Sequence, residues 1–251
     1  MISVNFRSSI LISLTLSGFM LPIFFAQAND RSLVVAPHAD MKPVIDGIAD
    51  DSAWAAADWT NIDYLWLGPE YSEADFSGRF KVTWSGTRIY ILAEITDDVL
   101  FDAHRDPLTQ YWDDDCLEVF LDEDYSGGNH QYSHNAFAYH MSLDNQAIDI
   151  GRNKKAQNYS HHVSSRWQQT GDKIIWEVAI DIYGADYVDG SDANEPLSLS
   201  VGKELGFMVA YCDNDGSEFR ENFIGSVPIA TGAKDRGYID ADIFGKMVLH
   251  E

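Results

Sequence analysis

The 251-residue sequence has few basic residues, two cysteines and one long apolar run. Its 17 lysines and arginines are outnumbered by 40 aspartates and glutamates, which gives a formal net charge of −23. A chain this acidic repels the phosphates of nucleic acids and of anionic lipids, so we expect neither as a partner. The acidic excess fits a soluble exported protein, and its carboxylates are suited to holding cations.

The two cysteines, Cys116 and Cys212, are too few for a disulfide-dense scaffold. In an oxidising compartment they could form one bridge, or they could stay two buried thiols in separate strands. Free cysteine is often buried, which favours the thiols. The sequence alone leaves both alternatives open.

The apolar run extends from Ile10 to Phe25, near the start of the chain. A basic residue precedes it, and an Ala-x-Ala sequence that ends at Ala28 follows it. This order predicts a secretory signal peptide over residues 1–28. The alternative is a membrane anchor, but the run is short and a glycine and a proline interrupt it. We therefore expect a secreted or periplasmic protein without a membrane span, whose mature part is a single domain over residues 29–251.

Short runs of β-branched and aromatic residues between turn residues dominate the mature chain. The predicted strands are Ser32–Ala36, Phe80–Trp84, Arg88–Thr96, Cys116–Asp122, Asn135–Leu143, His161–Gln168, Lys173–Ile182, Leu205–Asp213, Phe223–Val227 and Lys246–His250. Turns around Gly86 and Gly171 indicate two hairpins. Helical signal is limited to Asp50–Ala57 and Ile182–Val188. The pattern predicts an all-β fold, an antiparallel β-sandwich with short helical turns.

Alternation along two of these strands separates a core side from a second side. The predicted core side carries Leu117, Val119, Leu121, Phe137, Tyr139 and Met141. The second side carries Cys116, Glu118, Phe120, His134, Ala136, Ala138 and His140. Because the second set mixes polar and small groups, it suits a shallow ligand-facing surface, although a solvated sheet face is the ordinary alternative. We assign four tryptophans to packing in the core or on a sheet face: Trp54, Trp84, Trp167 and Trp176.

The segment Trp112–Asp122 (WDDDCLEVFLD) places a tryptophan at the mouth of a predicted strand, followed by acidic residues. An indole ring can stack on the C–H face of a sugar and bury apolar area. Carboxylates such as Asp115 and Glu118 can accept charge-assisted hydrogen bonds from sugar hydroxyls. The alternative is that Trp112 lies in the core and the aspartates form a solvated loop.

Several other stretches follow a recognisable order. The chain has Val44–Trp54 (VIDGIADDSAW), which is similar to IDG-x-x-D-x-x-W with one additional residue. A hairpin that ends in an acidic step at Asp98 follows, then the Trp112–Asp122 pattern W-x-x-D-x-x-E-x-F-x-D, and then Leu205–Phe207, Asp213–Arg220 and Phe244–Leu249. Together these motifs resemble carbohydrate-binding module family 9, whose members are appended to xylanases or stand alone as secreted proteins. The resemblance covers most of the mature chain. It implies a β-sandwich that binds an oligo- or polysaccharide without cleaving it.

The resemblance also implies roles for particular residues. The family clamps a sugar at the reducing end of a glycan between two aromatic rings, and these positions fall on Trp112 and Tyr238. The family glutamate falls on Glu118. The family arginine falls on Ala138, and the polar residue two positions later falls on His140. The ligand-facing strand has therefore lost a cation and gained a histidine.

Family members hold structural calcium, which implies calcium as a cofactor here. Hard oxygen ligands, which Ca²⁺ prefers, occur at short spacing in two places. The candidate ligands are Asp122, Asp124 and Asn129 in one place, and Asp213, Asp215 and Glu218 in the other. A plain hairpin turn is the alternative for Asn214-Asp215-Gly216.

A competing hypothesis rests on five histidines in one region: His130, His134, His140, His161 and His162. Related β-sandwich domains of the DOMON type bind haem as well as sugars, and Met141 or a histidine could ligate iron.

Catalysis has less support, because carboxylates are too plentiful to single out a glycosidase pair and no hydrolase motif is present. We expect a binding module that works beside a glycoside hydrolase encoded separately.

Overall fold

The computed structural model describes Met1 and residues 32–251. The predicted signal peptide therefore lies, apart from Met1, outside the described residues. None of the helices in the described part of the chain has the length and apolar character needed to cross a membrane.

Residues 32–251 form fourteen strands and two short 3₁₀ helices. In chain order the strands are β1 Leu33–Ala36, β2 Thr60–Ile62, β3 Tyr64–Leu67, β4 Phe76–Ser85, β5 Arg88–Asp97, β6 Cys116–Asp122, β7 Phe137–Ser142, β8 Ala147–Ile150, β9 Ala156–Asn158, β10 Val163–Thr170, β11 Lys173–Asp181, β12 Glu204–Asp213, β13 Asn222–Gly225 and β14 Gly245–Leu249. The 3₁₀ helices are Ser52–Ala56 and Ala241–Ile243.

The strands make two sheets. The larger sheet has nine strands in the order β1-β14-β12-β6-β7-β8-β9, and β13 joins it by pairing with both β12 and β3. The smaller sheet has the order β10-β11-β5-β4-β2. Only the β1–β14 pair among these is parallel, so the predicted antiparallel β-sandwich is confirmed.

The main hydrophobic core lies between the two sheets. Leu117, Val119 and Leu121 of β6 are buried in it together with the alternate residues of β7. Ile91 and Trp176 of the smaller sheet belong to the same core. Full burial of one such side chain stabilises the fold by about 1.5–3 kcal/mol. The core side predicted from alternation is therefore confirmed for both strands.

A second apolar cluster covers the outer face of the nine-stranded sheet. The alternate residues Cys116 and Phe120 of β6 belong to it, as do Met208 and Cys212 of β12. The loops fold back over this face, and the indole N–H of Trp66 donates to the carbonyl oxygen of Val227 at 2.9 Å. This sheet is thus packed on both faces.

The predicted helical turn at Asp50–Ala57 is the 3₁₀ helix Ser52–Ala56. It buries Trp54, whose indole N–H donates to Glu177 Oε1 at 3.1 Å. Trp84 and Trp176 are also buried, and Trp167 packs against the main core. The packing roles assigned to the four tryptophans are confirmed.

Two local expectations are wrong. Residues 182–188 form no helix, because Ile182 continues the hydrogen bonding of β11 by donating to the carbonyl of Thr87 and accepting from Leu197. His134 does not share the outer face with His140. It precedes β7, and its ring stacks on that of Phe137, with ring centroids 5.0 Å apart, on the core side. Alternation does not extend to residues that lie before the strand begins.

Candidate functional site

A cavity of about 510 Å³ opens on the outer face of the nine-stranded sheet. Strands build its floor, with Glu118 and Phe120 from β6, His140 from β7 and Phe223 from β13. Loops build its rim, including residues 111–113, 219–220 and 235–238. Glu118, Phe120 and His140 of the predicted second side therefore face a concave surface.

Aromatic side chains stand at the rim of this cavity. Trp112 is 42% exposed, Tyr238 is 40% exposed and Phe219 is 57% exposed. Tyr111 packs edge-on against Trp112, with ring centroids 4.9 Å apart, and also edge-on against His140 at the floor. Exposed rings around a concave site offer apolar faces to a ligand.

Glu118 and His140 form a buried pair at the floor. They are opposite residues of β6 and β7, and His140 Nε2 lies 3.2 Å from Glu118 Oε1. Burial raises the pKa of Glu118 well above its usual value. Burial, together with the charge of Arg220, lowers the pKa of His140 to about 3. Burial therefore favours the uncharged form of both groups.

The second carboxyl oxygen of Glu118 has no partner. Oε2 is buried and makes no hydrogen bond. An unpaired buried polar atom costs about 1–3 kcal/mol, and a ligand hydroxyl that donates to it recovers that cost.

Arg220 brings a positive charge into the same cavity. Its guanidinium donates to Asp235 Oδ1 at 2.7 Å and to Cys212 Sγ at 3.4 Å. It also lies 4.1 Å from the centre of the Phe223 ring. These contacts hold the planar group in one orientation, with further N–H groups available as donors.

Asp115 does not line this cavity. Its two oxygens accept backbone N–H bonds from Phe101 at 2.6 Å and from Asn214 at 2.8 Å. Burial and the nearby Asp97 raise the pKa of Asp115 to about 9. Asp115 therefore joins the loop that contains Phe101 to the loop that follows β12. The sequence prediction thus has four of its five sugar-contact residues at the cavity: Trp112, Glu118, His140 and Tyr238.

The cysteines are opposite residues of β6 and β12, and both are free, buried thiols. Burial disfavours the thiolate of Cys212, but the hydrogen bond from Cys116 and the charge of Arg220 outweigh burial and lower the pKa of Cys212. Burial and the paired thiol raise the pKa of Cys116. One ring nitrogen of His140 and the two sulfur atoms all lie within 4.8 Å of one another.

Of the predicted calcium ligands, the structure brings together Asp213 and Asp215. Their oxygens lie within 4.8 Å of each other and of Asp97, at the opposite end of β5 from its hairpin turn. Burial and the charge of Asp97 raise the pKa of Asp213 to about 8. Glu218 is exposed and joins no such group among the described residues.

The other predicted calcium ligands are apart from this acidic group. Asp122 is buried, and its Oδ2 accepts the backbone N–H of Gly127 at 2.7 Å. Asp124 and Asn129 are exposed. Within residues 32–251 none of the three belongs to a group of three or more acidic, histidine or cysteine ligands.

The histidines do not converge on one centre. His161 and His162 are hydrogen-bonded to each other at 3.1 Å, and His130 Nε2 lies 2.7 Å from the carbonyl oxygen of Gly237. Met141 points into the main core, away from His140 on the other face of β7. The arrangement does not favour the haem hypothesis.

Several cavity residues were not predicted as sugar contacts, among them Tyr111, Phe219, Arg220 and Asp235. Phe219 and Arg220 lie at the end of the marked stretch Asp213–Arg220, and Tyr111 directly precedes Trp112. Asp97 of the acidic group was also missed, although the hairpin motif ends one residue after it.

Sequence comparison finds relatives among longer proteins. Exoglucanase XynX of Acetivibrio thermocellus is 26% identical over 182 residues, which are 71% of this chain and 15% of that protein. Endo-1,4-beta-xylanase A of Thermoanaerobacterium saccharolyticum is 25% identical over 185 residues, again 71% of this chain and 14% of the relative. The chain thus spans about one seventh of the curated relatives that it matches.

Solved structures show the same fold. A carbohydrate binding module family 9 structure from Caldicellulosiruptor kristjanssonii, in complex with glucose, superposes with a TM-score of 0.62 at 20% identity over 87% of this chain and 95% of that one. Its complex with cellotriose gives the same TM-score and identity and covers 94% of that chain. The model of the family described as carbohydrate family 9 binding domain-like matches residues 45–251, and this chain belongs to that family.

Proposed function

We propose that the cavity on the outer face of the nine-stranded sheet binds sugar, with Trp112 stacking on a pyranose ring and Glu118 bonding a hydroxyl. The observation that carries this proposal is the unpartnered Oε2 of Glu118, buried at the floor of a cavity whose rim is aromatic. Apolar walls with a few convergent polar groups are the usual features of a small-molecule site.

The polar groups suit a ligand rich in hydroxyls. A protonated carboxyl group can donate and accept, as a sugar hydroxyl can. Arg220 also lines the cavity and supplies N–H donors, and Asp235 accepts a hydrogen bond from its guanidinium at 2.7 Å. We infer that Arg220 replaces the cation that the family places at the position of Ala138.

The volume indicates how much glycan enters. About 510 Å³ lies in the range of ligand pockets and is far from an extended groove. We infer that the cavity takes a short oligosaccharide or the end of a longer chain, with Tyr238 and Phe219 as further stacking surfaces.

The protein is a binding module and not an enzyme, as its family is one of carbohydrate-binding domains. The matched relatives are named as an exoglucanase and a xylanase. On that basis we infer a role in polysaccharide catabolism in association with a glycoside hydrolase. Export directed by the signal peptide predicted at residues 1–28 would bring the module to a polysaccharide outside the cytoplasm.

We also propose a structural calcium ion, held by Asp97, Asp213 and Asp215. Three carboxylates whose oxygens lie within 4.8 Å repel one another, and a divalent cation removes that repulsion. Two of the three are buried, at the end of β5 and the end of β12. The ion would therefore join the two sheets through these strand ends.

The sugar proposal is tested by calorimetric titration of the mature protein against xylo-, cello- and manno-oligosaccharides, with calcium present. Each is used with a native and with a borohydride-reduced end. Binding that is lost on reduction identifies the reducing end as the recognised group. Binding that survives keeps the carbohydrate function and moves recognition to the chain interior. No heat with any glycan, for a protein that is folded by circular dichroism, would contradict the proposal.

A further inference from the structure

Beneath the sugar cavity lies a set of side chains that sugar binding does not explain. Cys116 and Cys212 are paired directly across β6 and β12, and His140 comes from β7 on the other side of β6. All three are buried on the same face of the sheet. The two sulfur atoms and one imidazole nitrogen lie within 4.8 Å of one another.

Two thiolates and an imidazole form a donor set for a thiophilic divalent cation. Zinc sites use cysteine sulfur and histidine nitrogen, and calcium and magnesium sites use oxygen. A neighbouring contact also fixes the imidazole. His140 Nδ1 lies 3.0 Å from the carbonyl oxygen of Ala138. A neutral ring that donates there keeps the lone pair of Nε2 free, which is the arrangement common among metal-binding histidines.

Glu118 lies beside the histidine of this set. Its Oε1 lies 3.2 Å from His140 Nε2, and its Oε2 is buried without a hydrogen-bond partner. Among the described residues, the group of mutually close ligand atoms here consists of Cys116, His140 and Cys212, and Glu118 stands next to it.

The charges around the set also balance. A divalent cation cancels the charge of two thiolates, and the guanidinium of Arg220, 3.4 Å from Cys212 Sγ, is paired with Asp235. A buried cluster with no net charge avoids the cost of an uncompensated buried ion.

We propose that Cys116, Cys212 and His140 bind Zn²⁺ at the floor of the sugar cavity. Binding forms two zinc–sulfur bonds and releases two thiol protons to solvent. The ion ties together β6, β7 and β12 at the place where the sugar is recognised. This site is separate from the calcium site, which has oxygen ligands alone.

Cobalt(II) is the probe, because cobalt bound to thiolate gives an intense near-ultraviolet charge-transfer band that carboxylate ligands do not give. The mature protein is reduced, placed in excess calcium to fill oxygen sites, and titrated with Co²⁺ and then with Zn²⁺. We expect one Co²⁺ per chain, with the band, displaced by one equivalent of Zn²⁺. Since the sequence has two cysteines, the band can come from Cys116 and Cys212 alone. Absence of the band in the reduced, folded protein overturns the proposal.

Variants assign the ligands. Cys116→Ser, Cys212→Ser and His140→Gln should each weaken cobalt binding more than about 100-fold, beyond the loss expected for an outer-shell partner. His38→Gln, which removes a histidine away from the cavity, should leave it unchanged. An unchanged affinity in His140→Gln would contradict the set of three ligands.

A further measurement uses the wild-type protein, so its result does not depend on whether the variants fold. The zinc-edge X-ray absorption spectrum of the wild-type protein should show two sulfur neighbours, and a shell of nitrogen and oxygen alone would refute the site. Sugar titration of the zinc-free protein is read separately. Its failure would concern the sugar proposal, and cobalt binding would stand independently of it.

Discussion

The replacement of Trp112 by alanine tests the stacking surface directly. A tryptophan side chain offers about 250 Å², and the 42% exposure of Trp112 leaves about 100 Å² for a ligand. A sugar covers one face of the ring, roughly half of that area. At about 25 cal/mol per Å² the lost burial is about 1.2 kcal/mol. With the directional part of ring stacking, we expect Trp112→Ala to weaken sugar binding by about 1–2 kcal/mol.

The assay is calorimetric titration with the tightest-binding oligosaccharide of the panel. The expected loss is roughly 5- to 30-fold in the dissociation constant. The melting temperature should change little, because the ring is half exposed and packs chiefly on Tyr111.

The chain offers a matched control. Trp59 is 36% exposed, and its ring packs under Arg79 at 4.2 Å and Lys81 at 5.0 Å, outside the cavity. Trp59→Ala should leave sugar affinity unchanged. Equal losses in both variants would point to a general effect on the fold, and an unchanged affinity in Trp112→Ala would remove this ring from the site.

Three further predictions concern the floor, the calcium ion and the pH dependence. Glu118→Ala should lower sugar affinity about tenfold, since a hydrogen bond is lost; titration of a folded variant with wild-type affinity would rule Glu118 out as a ligand. Removal of calcium with a chelator should lower the melting temperature, and added calcium should restore it. A free calcium concentration of 100 times the dissociation constant stabilises the folded protein by about 2.7 kcal/mol. The Asp213→Asn variant should have the same melting temperature with and without calcium. Burial raises the pKa of Asp149 to about 7 in the folded protein, compared with about 3.9 in the unfolded chain. The folded state therefore binds more protons than the unfolded state, and the free energy of unfolding falls as the pH rises from about 4 to about 7. Urea unfolding of Asp149→Asn should show a shallower fall over that window, and identical slopes for both proteins would contradict the argument.

Much of the sandwich could be predicted because its strands carry their pattern locally. Alternation in β6 separated Leu117 and Val119 from Cys116 and Glu118 correctly, since a strand places successive side chains on opposite faces. The prediction failed where the pattern stopped. His134 lies before β7 begins, and its place against Phe137 depends on a bend that alternation does not describe. The short strands β2, β3, β8 and β9 were missed, although β1 and β13, which have four residues each, were predicted.

The candidate site was predicted in part for a related reason. Trp112, Glu118 and His140 lie on or beside strands whose motifs could be identified. Asp115 has the right chemistry, but its oxygens are engaged by backbone N–H groups of Phe101 and Asn214. Hydrogen bonds between loops depend on the folded chain, so the residue type alone could not reveal this role.

The sequence by itself determined the fold class, the core side of the central strands and the aromatic and acidic character of the ligand-facing surface. These properties follow from local periodicity and composition. The tertiary structure alone decided that Arg220 and Glu118 line one cavity, that Cys116 lies opposite Cys212, and that Asp97 joins Asp213. Residues about one hundred positions apart meet there because strand register and loop closure bring them together, and neither is encoded in any short stretch of the chain.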